Sequence, residues 1–410
     1  MRLKWKQDWT LLLILFLVLR LLYSAIGLTV ALGPSPVPQA SGAQYDSTAP
    51  LLHPDKASQL LVNVWFRWDT GWYLQIAAFG YIPGSGNIAF MPLYSWLIHG
   101  LAALTGNYLL SALIISNLAA LAVFFLLYEV ASLEGLDSRT SLTVVMFFAL
   151  FPTAFFLFAA YTESIFLALV LGFWLAARHK AWLLAGFLGG FATLCRIQGV
   201  ILSAVLAWLW LASLVETGTA RAGPLEQARQ VMGLVTSRSG WRTIFASLRH
   251  PAWVGAFIPV LTLAGYTLVM RLMNLNSLTD TFNSYWYIRP VMPWTGVALF
   301  IKRLFTTRLI SIDYLDLIFL GFMLALLVNG LRRLDPALSL YSFLTLAILF
   351  TRGTPPTLLM SFSRYLLVLF PAFFILGKIR SRPLRVGVWT LSFTLQTLML
   401  YGFLQWRFIA

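Results

Sequence analysis

Apolar runs of roughly the length that crosses a bilayer recur along this chain, separated by short segments that carry the charge. A spanning helix needs about 20 mostly apolar residues. By that measure helices are expected near 9–32, 107–130, 141–160, 163–178, 182–197, 199–215, 252–272, 313–331, 336–351, 363–378 and 385–405. The expectation is an all-α polytopic membrane protein of about eleven transmembrane helices. Residues 1–410 are read as one domain, with no internal repeat. The stretch 182–215 is the hardest to divide, because Arg196, Gln198 and Gly199 interrupt it and a break there leaves two short helices.

Composition agrees. Only 10% of the residues are charged, against about 25% in soluble domains. Mean hydropathy is +0.81, so lipid must solvate much of the surface. The net charge of +15 does not indicate a nucleic-acid partner, since the Lys and Arg residues lie between apolar spans, as in the loops of membrane proteins. Cys195 is the sole cysteine, which excludes an intrachain disulfide and a thiolate cluster. His53, His99, His179 and His250 show no zinc spacing. No metal or cofactor is expected. The first apolar run, Trp9 to Leu32, exceeds a signal-peptide core of about 7–15 residues and is read as a retained helix.

Charge sets the orientation. With a cytoplasmic N-terminus, the inner segments collect Arg139, Arg178, Lys180, Arg332, Arg333, Lys378 and Arg380, the positive-inside pattern. Segment 216–251 is then a basic, partly amphipathic cytoplasmic loop suited to lipid headgroups. Two outer segments result, 33–106 and 274–312. The first opens with Pro34, Pro36 and Pro38. From Ser58 to Ile76 apolar and aromatic residues fall at helical spacing, so an amphipathic helix lying on the outer leaflet is expected.

That helix holds Arg67-Trp68-Asp69. A carboxylate among aromatics at a bilayer edge is costly without a partner or a task. Asp69 suits a general base that takes a proton from a hydroxyl. The plainer reading is a helix cap or a surface pair with Arg67, although residues two apart face different ways on a helix. Glu163 opens a span, where the helix dipole alone favours acid; it can also face a cavity. Arg20 and Arg196 lie within spans, where a charge faces a partner or a cavity. Arg20 is a possible buried partner for Asp69 or Glu163. Arg352 and Arg364 flank Thr354-Pro355-Pro356 and can fork onto a lipid phosphate or contact headgroups generally. No P-loop or dinucleotide motif occurs, so a donor carried on a lipid fits better than a soluble nucleotide. The rival class is a polytopic transporter or lipid flippase, which also needs cavity-facing charge and broken helices. It predicts paired breaks in the two halves, which the sequence lacks.

The run Arg67-Trp68-Asp69, Gly80-Tyr81 and Ala89-Phe90-Met91-Pro92-Leu93-Tyr94 resembles the start of the PIG-V type mannosyltransferases. Phe151-Pro152-Thr153, Tyr161-Thr162-Glu163-Ser164 and Arg196-Ile197-Gln198-Gly199 resemble later elements of that family, and Arg364-Tyr365 does so loosely. Met91 stands where the family has Phe, and Gln198 where it has Asn. The resemblance implies a GT-C fold and a bacterial relative. It implies transfer of a hexose, mannose in that family, from a polyprenyl-phosphate donor to a lipid or glycan acceptor on the non-cytoplasmic face. It makes Asp69 the base, puts Glu163, Arg196 and Gln198 around the site, and makes Arg364 a phosphate ligand. Arg20, Arg67, Trp68, Arg352 and Tyr365 complete the expected substrate-binding set.

Overall fold

The computed structural model describes residues 2–34, 43–215, 223–247, 251–307, 309–353 and 358–409. The turn at Thr354-Pro355-Pro356, the prolines Pro36 and Pro38, and part of segment 216–251 lie outside these residues. The described chain is helical, with one isolated β-bridge between Pro290 and Arg352.

Among the described residues, six helices are long and apolar enough to cross a membrane: Gln7–Leu32, Tyr108–Leu133, Ile197–Val215, Pro251–Leu272, Ser311–Gly330 and Arg382–Leu404. The expectation of about eleven is therefore corrected. Trp182–Cys195 and Pro336–Leu349 are shorter apolar helices. The expected span 141–160 ends as a helix at Ala149, and a 3-10 turn, Ala154–Leu157, follows the break. Pro152 lies in that break; its ring and missing N–H oppose helix continuation. The expected span 363–378 is three short pieces, Phe362–Tyr365, Leu366–Val368 and Pro371–Gly377, the last begun by Pro371. Both broken segments are buried in the bundle, where protein rather than lipid surrounds their irregular backbone.

The core is aromatic. Phe148, Phe155, Phe156, Phe158, Phe166 and Trp174 are fully buried, and Phe155 stacks on Phe156 with centroids 4.4 Å apart. The helix Trp182–Cys195 meets Pro251–Leu272 through Gly186 and Gly255, each of which has no room for a Cβ against the other helix's backbone. Small residues four apart, here Gly186 and Gly190, allow such close approach. Arg178 joins three segments, with Nε 2.6 Å from Glu134 and Nη2 2.9 Å from Asp335. This arginine, counted in the sequence among inner-loop charges, is thus a largely buried tie between helix ends.

The expected helix over 58–76 is also corrected. Lys56–Leu61 is helical, a 3-10 turn spans Asn63–Trp65, and a second helix runs Thr70–Phe79. That second helix does not lie on the surface, since its residues from Thr70 to Ala77 are buried. Trp68, between the two pieces, has φ +47, a conformation uncommon outside glycine and costly to hold. The kink joins the buried stretch Val64 to Arg67 to the buried helix Thr70–Phe79 and leaves Asp69 partly exposed between them.

Candidate active site

The kink is fastened at several points. The Tyr161 hydroxyl donates to the Arg67 carbonyl and accepts from the Asp69 N–H, both at 3.2 Å. The Tyr45 hydroxyl donates to the Trp68 carbonyl at 3.0 Å. Asp69 occupies the N-cap position of Thr70–Phe79, but its side chain makes no cap bond. Its Oδ2 instead accepts from Arg364 Nη1 at 2.8 Å. Neither plain reading of Asp69 therefore holds: it neither caps the helix with its side chain nor pairs with Arg67.

Arg364 stands at the centre of a chain of charge. Its Nε lies 3.2 Å from Glu163 Oε1, and Arg196 Nη1 lies 2.8 Å from the same oxygen. Glu163 is the first residue of the helix Glu163–Arg178 and is buried. Arg196 reaches it because Trp182–Cys195 stops there, leaving Arg196 extended at φ −151 before the 3-10 turn Ile197–Ile201. Gly199 makes the turn possible: a Cβ would collide with the Ala192 and Thr193 backbone. Arg364 is fixed in turn by the loop before it. Asp316 accepts from Ser363 N–H at 2.8 Å, and Asp313 accepts from Leu358 N–H at 2.9 Å.

These groups surround a cavity of about 370 Å³. Asp69, Trp68, Arg196, Gln198, Arg352, Arg364 and Tyr365 line it. Three guanidinium groups approach one phenol ring: Arg352 at 4.5 Å, Arg196 at 4.8 Å and Arg364 at 5.0 Å from the Tyr365 centroid. Arg364 Nη2 also donates to the Tyr365 hydroxyl at 3.1 Å. Arg352 donates to the Met360 carbonyl at 3.2 Å and has no carboxylate partner among the described residues. The opposite wall is aromatic, where Trp72 stacks on Phe90 at 5.8 Å and meets Trp286 edge-on at 5.5 Å. The cavity thus brings the partly exposed Asp69 carboxylate together with three guanidinium groups, with aromatic rings in the same lining.

Three expected site residues, Arg67, Arg20 and Glu163, do not line it. Arg67 donates to the Leu404 and Phe66 carbonyls, both at 2.8 Å, and lies over the Trp406 ring. Two backbone carbonyls and an indole ring hold it, so it ties the segment before the kink to the end of the last helix. Arg20 lies over the Trp65 ring at 5.2 Å, in ion-pair contact with neither Asp69 nor Glu163. Glu163 itself lies beneath the lining rather than in it. Sequence reasoning missed Asp313 and Asp316 as anchors of the arginine loop. Their spacing of three on one helix face was the available signal.

No family model matches the sequence, and no curated protein matches it. Among solved structures the chain is similar to ArnT from Cupriavidus metallidurans bound to undecaprenyl phosphate. The TM-score is 0.50 at 14% identity, over 92% of this chain and 62% of that one. It also aligns with the archaeal oligosaccharyltransferase AglB from Archaeoglobus fulgidus, in complex with an inhibitory peptide and a dolichol-phosphate. There the TM-score is 0.42 at 12% identity, over 84% of this chain and 52% of that one. The chain therefore spans less than two thirds of either structure it resembles. What it shares with ArnT is a fold, an all-α bundle.

Proposed function

We propose that this protein is a membrane glycosyltransferase, moving a hexose from a polyprenyl-phosphate donor to a hydroxyl of a lipid or glycan acceptor. The observation that carries the reading is the single cavity in which Asp69 faces Arg196, Arg352 and Arg364. A general base and a cluster of guanidinium groups are the two things such a transfer requires. The ArnT structure, of the same fold, holds undecaprenyl phosphate, a ligand of the class proposed. The volume lies within the usual range of small-ligand sites, about 300–1,000 Å³.

Asp69 takes the proton of the acceptor hydroxyl. The oxygen attacks the anomeric carbon from the side opposite the phosphate, and the bond from that carbon to the phosphate oxygen breaks. The electron pair leaves with the lipid phosphate, and the configuration inverts. The leaving group is a stable anion, so it departs without a proton while the guanidinium groups hold its charge. Gln198 is placed to bind sugar hydroxyls, and the aromatic wall to pack against the apolar face of the ring. The motif resemblance supports mannose as the sugar and a bacterial membrane as the setting. The Lys and Arg distribution supports an active site on the non-cytoplasmic face.

The test is transfer of labelled mannose from its polyprenyl phosphate to a membrane-extract acceptor, using the full chain in detergent. Label should enter the acceptor fraction, and Asp69→Asn should lower turnover by about 10²–10⁴-fold. Lipid movement across proteoliposomes without sugar transfer from any polyprenyl-phosphate hexose would overturn the reading in favour of a flippase.

A further inference from the structure

Arg364 presents every side of its guanidinium to a partner. Nε faces Glu163 at 3.2 Å, Nη2 faces the Tyr365 hydroxyl at 3.1 Å, and Nη1 faces Asp69 at 2.8 Å. The two carboxylates are not equivalent. The Glu163 side chain is 1% exposed and is gripped a second time by Arg196. The Asp69 side chain is 26% exposed and has one ion pair. Glu163 therefore holds the guanidinium from behind, and Asp69 covers its cavity side.

The proposed base is thus engaged by the proposed phosphate ligand. While Asp69 Oδ2 accepts from Arg364 Nη1 at 2.8 Å, that oxygen is occupied and does not meet an acceptor hydroxyl. We propose that the donor phosphate and Asp69 share one edge of Arg364: the phosphate displaces the carboxylate from Nη1 and thereby frees it to act as base. The donor is then the first substrate to bind, and the acceptor hydroxyl is deprotonated only when the donor is in place. This inference rests on the cavity being a polyprenyl-phosphate site.

The geometry says which partner yields. Arg364 is held by rings on several sides, with Tyr161 at 5.2 Å and Phe156 at 5.5 Å from the guanidinium. Its loop is tied to Asp316 through Ser363. Besides Arg364, Asp69 is held at its backbone, where Tyr161 accepts from the N–H, so once released its carboxylate can turn about its own side-chain bonds while the chain stays put. Charge points the same way. Three guanidinium groups line the cavity against the carboxylates Asp69 and Glu163, and Arg352 is the one without an acidic partner among the described residues. An entering phosphate is drawn to Arg352, and Arg352 and Arg364 approach the same Tyr365 ring. An anion bound by the first therefore meets the second where Asp69 now sits. After transfer the released lipid phosphate carries more negative charge than the donor ester did, so it keeps Arg364 until it leaves.

Polyprenyl phosphate is the probe, titrated by calorimetry into the full chain in detergent. Wild type should bind it. Asp69→Asn and Asp69→Ser, two charge-removing variants in case one does not fold, should bind it about fivefold tighter or more, the scale of one partly exposed ion pair. Simple repulsion by Asp69 would give tightening too, and a double-mutant cycle separates the causes. In an Arg364→Gln background the same replacements should change affinity by less than about twofold. Equal tightening in both backgrounds, or none in either, overturns the sharing of Arg364 and leaves the donor site standing. Failure of the folded wild type to bind polyprenyl phosphate removes the donor site and this inference together.

Discussion

Glu163 binds two guanidinium groups through a single oxygen, and this sets how the site responds to change. Removing its charge leaves Arg196 and Arg364 buried with too little anion between them. Breaking one partner of a buried ion pair typically costs about 3–5 kcal/mol. Glu163→Gln should therefore lower the melting temperature in detergent clearly and reduce transfer through loss of Arg364 alignment. A Gln variant that melts like wild type would show that the arginines have other support. At this scale the sequence was partly legible. Asp69 stands out because a carboxylate among aromatics at a membrane edge is expensive. Its partner was not legible, because Arg364 lies 295 residues away. Arg67 and Arg20 carried the same signal as true cavity residues, and only packing reveals that one serves backbone carbonyls and the other an indole ring.

Helix ends, rather than helix middles, build the site. Asp69 sits at a start, Glu163 at a start, and Arg196 at a stop followed by a 3-10 turn. The turn depends on Gly199, where a methyl group would meet the Ala192 and Thr193 backbone. Backbone cannot yield as a flexible side chain can. Gly199→Ala should destabilise the protein by about 1–3 kcal/mol through overpacking and should displace Arg196 and Gln198. The expected readout is a lower melting temperature together with weaker donor binding. Unchanged values for both would mean the turn tolerates the methyl. The break near Arg196 was visible in the sequence as charge, amide and glycine inside an apolar run. The breaks after Ala149 and around Pro371 were passed over, because an apolar count takes no account of proline. The aromatic spacing over 58–76 suggested one surface helix and missed the turn at Trp68, whose positive φ is a tertiary outcome.

Across the whole molecule, Asp280 and Arg333 fall in segments that the Lys and Arg pattern assigns to opposite sides of the membrane. Both are exposed. Single cysteines at Asp280 and Arg333, in a background with the buried Cys195 replaced, should react with an impermeant thiol reagent from opposite faces of sealed vesicles. Labelling of both from one face would refute the orientation, and with it the placement of Asp69 on the non-cytoplasmic side. The membrane class was legible from apolar length and low charge alone. The number of full spans was not, because runs of similar hydropathy fold either as a membrane-length helix or as short pieces buried within the bundle.

The charged cavity also has an order of construction. Glu163 and Arg196 are 33 positions apart and lie on neighbouring segments, whereas Asp69 waits for a partner 295 positions downstream. A ribosome delivers the chain from the N-terminus, so the inner ion pair can close while the region bearing Arg364 is still unmade. Asp69 must meanwhile remain hydrated at the membrane edge, since a lone carboxylate enters the bilayer only at high cost. The cationic wall is completed only when the segment from Leu358 to Tyr365 docks on Asp313 and Asp316. A chain arrested in biogenesis before that point holds the carboxylate without its full cationic wall, and on the proposed function it has no use for a lipid carrier.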